Sequence, residues 1–124
     1  MPRQARLDSP GLMHHVMARG LNRQPIFVDD ADRLDFIQRV EKALTLSPNE
    51  IFAWALMSNH LHFLIRSGLH GLSGFMRRVM TGYALAFNQR HKRVGYLFQG
   101  RFKSLVCDEE ESERRASKKA LWVL

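Results

Sequence analysis

The spacing of apolar positions along this chain switches between a period of two and a period of three to four residues, and each switch marks an element. Residues 11–27 are expected to hold a first strand around His14-His15-Val16-Met17-Ala18. The basic, glycine-containing run Arg19-Gly20-Leu21-Asn22-Arg23 after it suits a turn or a strand edge. Asp29 and Asp30 supply capping oxygens and negative charge for a helix over 31–46, where Leu34, Ile37, Val40 and Leu44 recur at helical spacing and Pro48 follows the end. Residues 51–57 alternate and are rich in aromatic and branched side chains. Ser58-Asn59 can then turn the chain into His60-Leu61-His62-Phe63-Leu64-Ile65, which alternates with no helix-period stripe, so the two segments form a hairpin expected at the centre of a sheet. Gly68, Gly71 and Gly74 loosen the way to a second helix over 72–90. Its stripe is Leu72, Phe75, Met76, Val79, Met80, Tyr83 and Phe87, with Arg77 and Gln89 opposite. After the basic turn 91–95, residues 96–106 can supply a last strand. The order β-α-β-β-α-β with short connections predicts an α+β, ferredoxin-like fold: a four-stranded antiparallel sheet with two helices on one face.

A length of 124 residues with 45% hydrophobic positions suits one core. Nineteen Lys and Arg against twelve Asp and Glu leave a formal charge of +7, which points to a polyanionic partner, nucleic acid ahead of a membrane surface. No apolar run approaches the ~18–20 residues that cross a bilayer, and residues 1–10 carry basic groups but no apolar stretch of a secretory signal. A cytoplasmic location and no membrane partner are therefore expected. The single cysteine, Cys107, can form neither an internal disulfide nor a zinc pair and reads as a small buried hydrophobe. From Asp108 the character changes to an acidic run, 108–113, and a basic one, 114–119. Residues 108–124 are thus expected to be a tail attached to a body at 11–107, either frayed or a short exposed helix supported by Glu110 with Arg114 and Glu111 with Arg115.

His60 and His62 carry the most specific chemistry. Residues i and i+2 of a strand project to one face roughly 6.5–7 Å apart, so both imidazoles can reach one metal ion while Leu61, Phe63 and Ile65 enter the core. The competing reading is a pair of surface or structural histidines. His14 and His15 are adjacent and point to opposite faces, so at most one can join a sheet-face site, and a structural role is expected of them. Arg19, Arg23, Arg77, Arg78, Lys92, Arg93, Arg101 and Lys103 are candidate phosphate contacts or simply solvated charges. Arg101 and Lys103 are the preferred pair, as i and i+2 on the last strand.

Taken together, His14-His15-Val16-Met17-Ala18-Arg19-Gly20, Ile26-Phe27 with its following acidic turn, Met57-Ser58-Asn59-His60-Leu61-His62-Phe63-Leu64-Ile65, and Gly95-Tyr96-Leu97-Phe98-Gln99-Gly100-Arg101-Phe102-Lys103-Ser104 resemble the IS200-like transposases. Within that family they are most similar to those associated with repetitive extragenic palindromes, single-strand DNA enzymes of the two-histidine (HUH) and tyrosine class. The resemblance spans about 11–107. It implies DNA transposition on single-stranded or hairpin DNA. It also implies that His60 and His62 hold a divalent ion, Mg²⁺ or Mn²⁺, and that Arg19, Arg23, Arg101 and Lys103 bind DNA. In the family a tyrosine on a helix beyond the last strand attacks the phosphorus and retains the DNA as a 5′-phosphotyrosine, and an asparagine four residues on completes the metal shell. Residues 112–124 contain neither residue type, so a truncation or frameshift is expected to have replaced that helix.

Tyr83 and Tyr96 are the two tyrosines present. Tyr83 is the candidate substitute nucleophile, although its place on the helical stripe suits a buried phenol with a hydrogen-bonded hydroxyl better. Tyr96 suits packing or DNA contact. Three functions follow: a strand-transferring transposase, a catalytically silent DNA-binding remnant, and an RNA-binding sheet, for which the third strand lacks the basic and aromatic signature. Monomer and homodimer both remain open.

Overall fold

The computed structural model describes residues 10–107 and 122–123. Strand β1 spans Met13–Arg19, a 3₁₀ turn follows at Leu21–Arg23, helix α1 spans Asp30–Leu46, β2 Glu50–Leu56, β3 His60–Arg66, α2 Ser73–Arg90, β4 Lys103–Val106 and β5 Trp122–Val123. Every strand pairing is antiparallel, in the order β4-β1-β3-β2-β5. The first four strands give the expected ferredoxin-like sheet with its two helices. β5 adds a two-residue ladder beside Ala53 and Trp54 of β2. The expected helix pairs at 110–115 lie outside the described residues.

Alternation along β3 explains why the sheet has two chemically different faces. Leu61, Phe63 and Ile65 are fully buried under the helices, together with Val16, Trp54 and Leu56. The other face carries His60, His62 and Leu64, and a smaller apolar group of Met13, Ala53, Ala55, Leu64 and Cys107 closes part of it. Burial of Cys107 agrees with the hydrophobic reading.

All seven stripe positions of α2 are buried, as expected. The stripe of α1 is different: Phe36, Val40 and Ala43 point inward, Ile37 and Leu44 pack at its margin, and Leu34 is 56% exposed. Phe36 fixes this rotation by packing against Phe27, Phe63 and Tyr83, and Leu34 lies two residues away, about 200° round the helix. The hairpin is interior, as expected. β3 is the middle strand of the five, and β2 lies inside the sheet between β3 and the two-residue β5, as β1 does between β3 and β4.

The last strand is shorter than its apolar pattern suggests. Only 103–106 are strand, and 96–102 form a loop in which Gly95 and Gly100 take φ of 94° and 66°, conformations that interrupt an extended ladder. Leu21 N–H donates to the Leu97 carbonyl and Gln99 N–H to the Arg19 carbonyl, both at 2.9 Å, so the loop is still tied to the end of β1.

A buried charge cluster locks α1 to α2. Asp29 caps α1 by accepting from the Asp32 N–H at 3.0 Å. The wholly buried Asp32 accepts from Val28 N–H at 2.8 Å and from Arg90 Nε at 2.7 Å, and His91 Nε2 lies 2.9 Å from its second oxygen. Burial pushes this carboxyl up. Its hydrogen bonds from Val28, His91 and Arg90, with the Arg90 charge, outweigh that and hold it below the usual carboxylate range.

Candidate functional site

Register places the histidines. Opposite residues of an antiparallel pair share a face, and the β1 to β3 ladder sets Met17 opposite His62 and Arg19 opposite His60. His60 and His62 therefore stand with Met17 and Arg19 on the face away from the helices, their rings 5.0 Å apart. His15 extends the row: its Nε2 lies 3.0 Å from His62 Nδ1, one ring donating and the other accepting, with ring centroids 5.1 Å apart. His62 and His15 are 4% and 7% exposed, and His60 is half-buried. The structural role expected of the adjacent pair holds for His14, which is buried on the helix side with Nδ1 2.8 Å from Ser104 Oγ. His15 instead joins the candidate site.

The donor set fits half of a metal shell. Metal-bound histidines usually have the other ring nitrogen hydrogen-bonded, which fixes tautomer and ring direction. Asn59 Oδ1 meets His60 Nδ1 at 2.8 Å, and His15 serves His62 in the same way. Among the described residues no group of three or more His, Cys, Asp or Glu side chains is arranged to hold a metal ion. Two imidazoles suit an ion that accepts nitrogen, such as Mn²⁺, better than Mg²⁺, which demands oxygen.

The cations gather beside this row. Arg19, Arg101 and Lys103 line one cavity of about 170 Å³ with Met17, Ala18 and Gln99. Lys103 is opposite Met17 in the β1 to β4 ladder, and so on the histidine face. Arg101 precedes β4, so the loop rather than strand alternation brings it there. Arg23 is exposed in the 3₁₀ turn at φ 61° and does not line this cavity. Among the described residues Arg19, Arg23, Arg101 and Lys103 have no acidic partner, whereas Arg33, Arg39, Arg66 and Arg90 all pair with carboxylates. Unpaired cations on one edge are what an incoming polyanion can neutralise.

The tyrosines stand apart from the histidines. Tyr83 is fully buried on the helix side, packed against Phe27 and Phe36, and its hydroxyl donates to the Ile26 carbonyl. Burial raises the phenol's pKa far above its ordinary value, and the nearby Asp32 carboxylate acts in the same direction. The sheet thus separates it from His60 and His62. Tyr96 is 83% exposed on the loop before β4.

A family model for IS200-like transposases matches residues 9–118. The chain belongs to that family. Two solved structures share the fold of this IS200-like protein. One is a REP-associated tyrosine transposase bound to a REP hairpin, with a TM-score of 0.67 at 17% identity over 86% of this chain and 62% of the other. The second is a protein from Deinococcus radiodurans R1 described as a transposase, with a TM-score of 0.63 at 15% identity over 90% and 91%. The chain therefore spans somewhat less than two thirds of the hairpin-bound relative. No curated protein matches the sequence. Among the described residues no helix is long and apolar enough to cross a membrane.

Sequence reasoning missed Gln24, Asn88 and Arg93 in this IS200-like chain as a set. Arg93 Nη2 donates to Gln24 Oε1 at 2.7 Å, Gln24 Nε2 donates to the carbonyls of Tyr96 and Leu97 at 3.0 and 3.1 Å, and Asn88 Nδ2 donates to the Gly95 carbonyl at 2.9 Å. Gln24 lies far along the chain from Asn88 and Arg93, and the three carry no periodic signal.

Proposed function

We propose that this IS200-like domain, residues 11–107, binds single-stranded hairpin DNA across the histidine face. Arg19, Arg101 and Lys103 take the phosphates, and His60 and His62 hold a divalent ion at one phosphodiester. The observation that carries the reading is the convergence of three cations, with no acidic partner among the described residues, on a cavity whose Met17 and Arg19 stand opposite His62 and His60. Each phosphate they neutralise releases condensed counterions, so binding is driven strongly at low salt. Arg23, exposed at the neighbouring turn, adds a peripheral contact. His60 and His62 would hold that ion, which would supply Lewis-acid polarisation of a phosphodiester oxygen. Asn59 and His15 orient the rings that hold it.

Strand transfer through a 5′-phosphotyrosine also needs a phenol in line with the phosphorus. Tyr83 donates its hydroxyl to Ile26 beneath the sheet, and Tyr96 lies on the loop outside the histidine row. These positions support hairpin binding as the activity of this chain, without a covalent product from either tyrosine. The deciding experiment incubates labelled hairpin DNA with Mn²⁺ and compares the wild type with His60→Ala and Tyr83→Phe. Retained binding with no covalent protein–DNA band supports this reading, and a band lost in both variants would make Tyr83 the nucleophile and the protein a strand-transferring enzyme. Equal affinity for an RNA hairpin of the same sequence would favour an RNA-binding sheet instead.

A further inference from the structure

We infer that Arg93 is a positioning residue of the DNA-binding surface: with Gln24 and Asn88 it clamps loop 95–102 so that Arg101 stands beside Arg19, and its own guanidinium touches no phosphate. The inference rests on the hairpin-binding reading and deepens it, because it separates the cations that meet DNA from one that holds them in place. Arg93 is among the charges a phosphate could claim, and among the described residues no carboxylate pairs with it. Its donors are nonetheless occupied by neutral acceptors. Nη1 donates to Asn88 Oδ1 and Nη2 to Gln24 Oε1 at 2.7 Å, with the Tyr96 carbonyl 3.4 Å from the same Nη2. Its backbone is fixed as well, the Arg93 N–H donating to the Asn88 carbonyl at 2.9 Å beyond the end of α2.

Both amides in the clamp use their two ends. Each gives its oxygen to Arg93 and its nitrogen to the loop, Asn88 to the Gly95 carbonyl and Gln24 to the carbonyls of Tyr96 and Leu97. One guanidinium fork thus joins the turn after β1, the end of α2 and the start of the loop; a lysine lacks the planar fork that meets both amide oxygens at once. The consequence lies in what the clamp connects. Arg19 ends β1, whereas Arg101 stands on the loop, whose backbone Gly95 and Gly100 would otherwise leave free to take many paths. The Leu97 carbonyl that Gln24 holds also accepts from Leu21 N–H, and Gln99 N–H reaches the Arg19 carbonyl, so the same fixed stretch runs from the clamp to the cation cavity shared by Arg19 and Arg101. A loop held beforehand in its bound form avoids the cost of ordering it on association.

The test is the salt dependence of affinity for a labelled hairpin DNA, read by fluorescence anisotropy, in Gln24→Ala, Arg93→Ala, Arg93→Lys and Arg101→Ala. Gln24→Ala removes no charge, yet it is expected to weaken binding about tenfold, the size of one charge-assisted contact, and to make the slope of log affinity against log salt shallower by roughly 0.7–0.9, the share of one phosphate. Arg93→Ala and Arg93→Lys are expected to match it. In an Arg101→Ala background Gln24→Ala is expected to change neither quantity further, because residues that act through one contact are not additive. Asn88→Ala breaks the clamp from the α2 side and is expected to behave like Gln24→Ala, so the test stands if one variant fails to fold. Slopes unchanged in Gln24→Ala and Asn88→Ala overturn the inference. So do a Gln24→Ala loss that persists undiminished in the Arg101→Ala background, and wild-type affinity and slope in Arg93→Lys, the result of a direct phosphate contact. A wild type that binds no hairpin overturns the hairpin reading and the inference with it, whereas normal wild-type binding with unmoved slopes overturns the positioning role alone.

Discussion

Removing the Asp32 carboxylate perturbs the fold more than any exposed charge can. Its oxygens accept from Val28 N–H, Arg90 and His91, and the side chain is wholly buried while Arg90 is only partly so. Asp32→Ala leaves a guanidinium, an imidazole and a backbone N–H without their common acceptor. Breaking a buried charge pair by deleting one partner costs about 3–5 kcal/mol. Asp32→Asn keeps an acceptor for Val28 N–H but loses the charge-assisted bonds, a loss of about 2 kcal/mol. Both are large against the ~5–15 kcal/mol that a domain has in total. The folded-state pKa lies below the unfolded value, so the carboxylate's contribution is full above the unfolded pKa, about 3.9, and is lost as pH falls through the folded one. Urea unfolding monitored by circular dichroism at pH 7 and through the acid range measures both effects. The wild type should lose stability below about pH 4 more steeply than Asp32→Asn. A loss under about 1 kcal/mol for Asp32→Ala, or identical acid profiles for wild type and Asp32→Asn, would refute the account of this cluster.

Other expectations concern single contacts around the site. Tyr83→Phe leaves the Ile26 carbonyl without its phenolic donor and should cost about 1–3 kcal/mol in urea unfolding while leaving hairpin affinity unchanged. Gly20→Ala should both destabilise the protein and weaken DNA binding, because a Cβ there would lie 2.1 Å from the Gln24 carbonyl oxygen and force apart the turn that ties 97–99 to β1; thermal melts and anisotropy read the two effects. His15→Phe should keep the fold but weaken Mn²⁺ binding about tenfold, read from the free-ion signal in electron paramagnetic resonance, since His62 loses its orienting partner.

The elements that the sequence disclosed are those with an unbroken period. The α2 stripe is legible because a helix laid on a sheet must bury one contiguous row, and all seven predicted positions do so. The two-histidine strand is legible because alternation separates His60 and His62 from Leu61, Phe63 and Ile65, and the structure keeps that separation. Leu34 misled because Phe36, a larger ring with three aromatic neighbours, determines the rotation of α1. The His15 to His62 contact joins residues 47 apart and depends on which of two adjacent histidines faces outward, a register that pairing decides. Arg101 and Lys103 line one cavity, but a loop rather than the expected strand face brings Arg101 there, because Gly95 and Gly100 interrupt the extended run.

The most direct test of hairpin binding is the salt dependence of affinity for a labelled hairpin DNA, wild type against a variant with Arg19, Arg101 and Lys103 all changed to alanine. Each phosphate contact contributes roughly 0.9 to the slope of log affinity against log salt on duplex and about 0.7 on single strands. The account predicts that the triple variant binds weakly and that its slope is shallower by about two to three. Unchanged slope and affinity in the folded variant would contradict it and place any nucleic-acid contact elsewhere on the molecule.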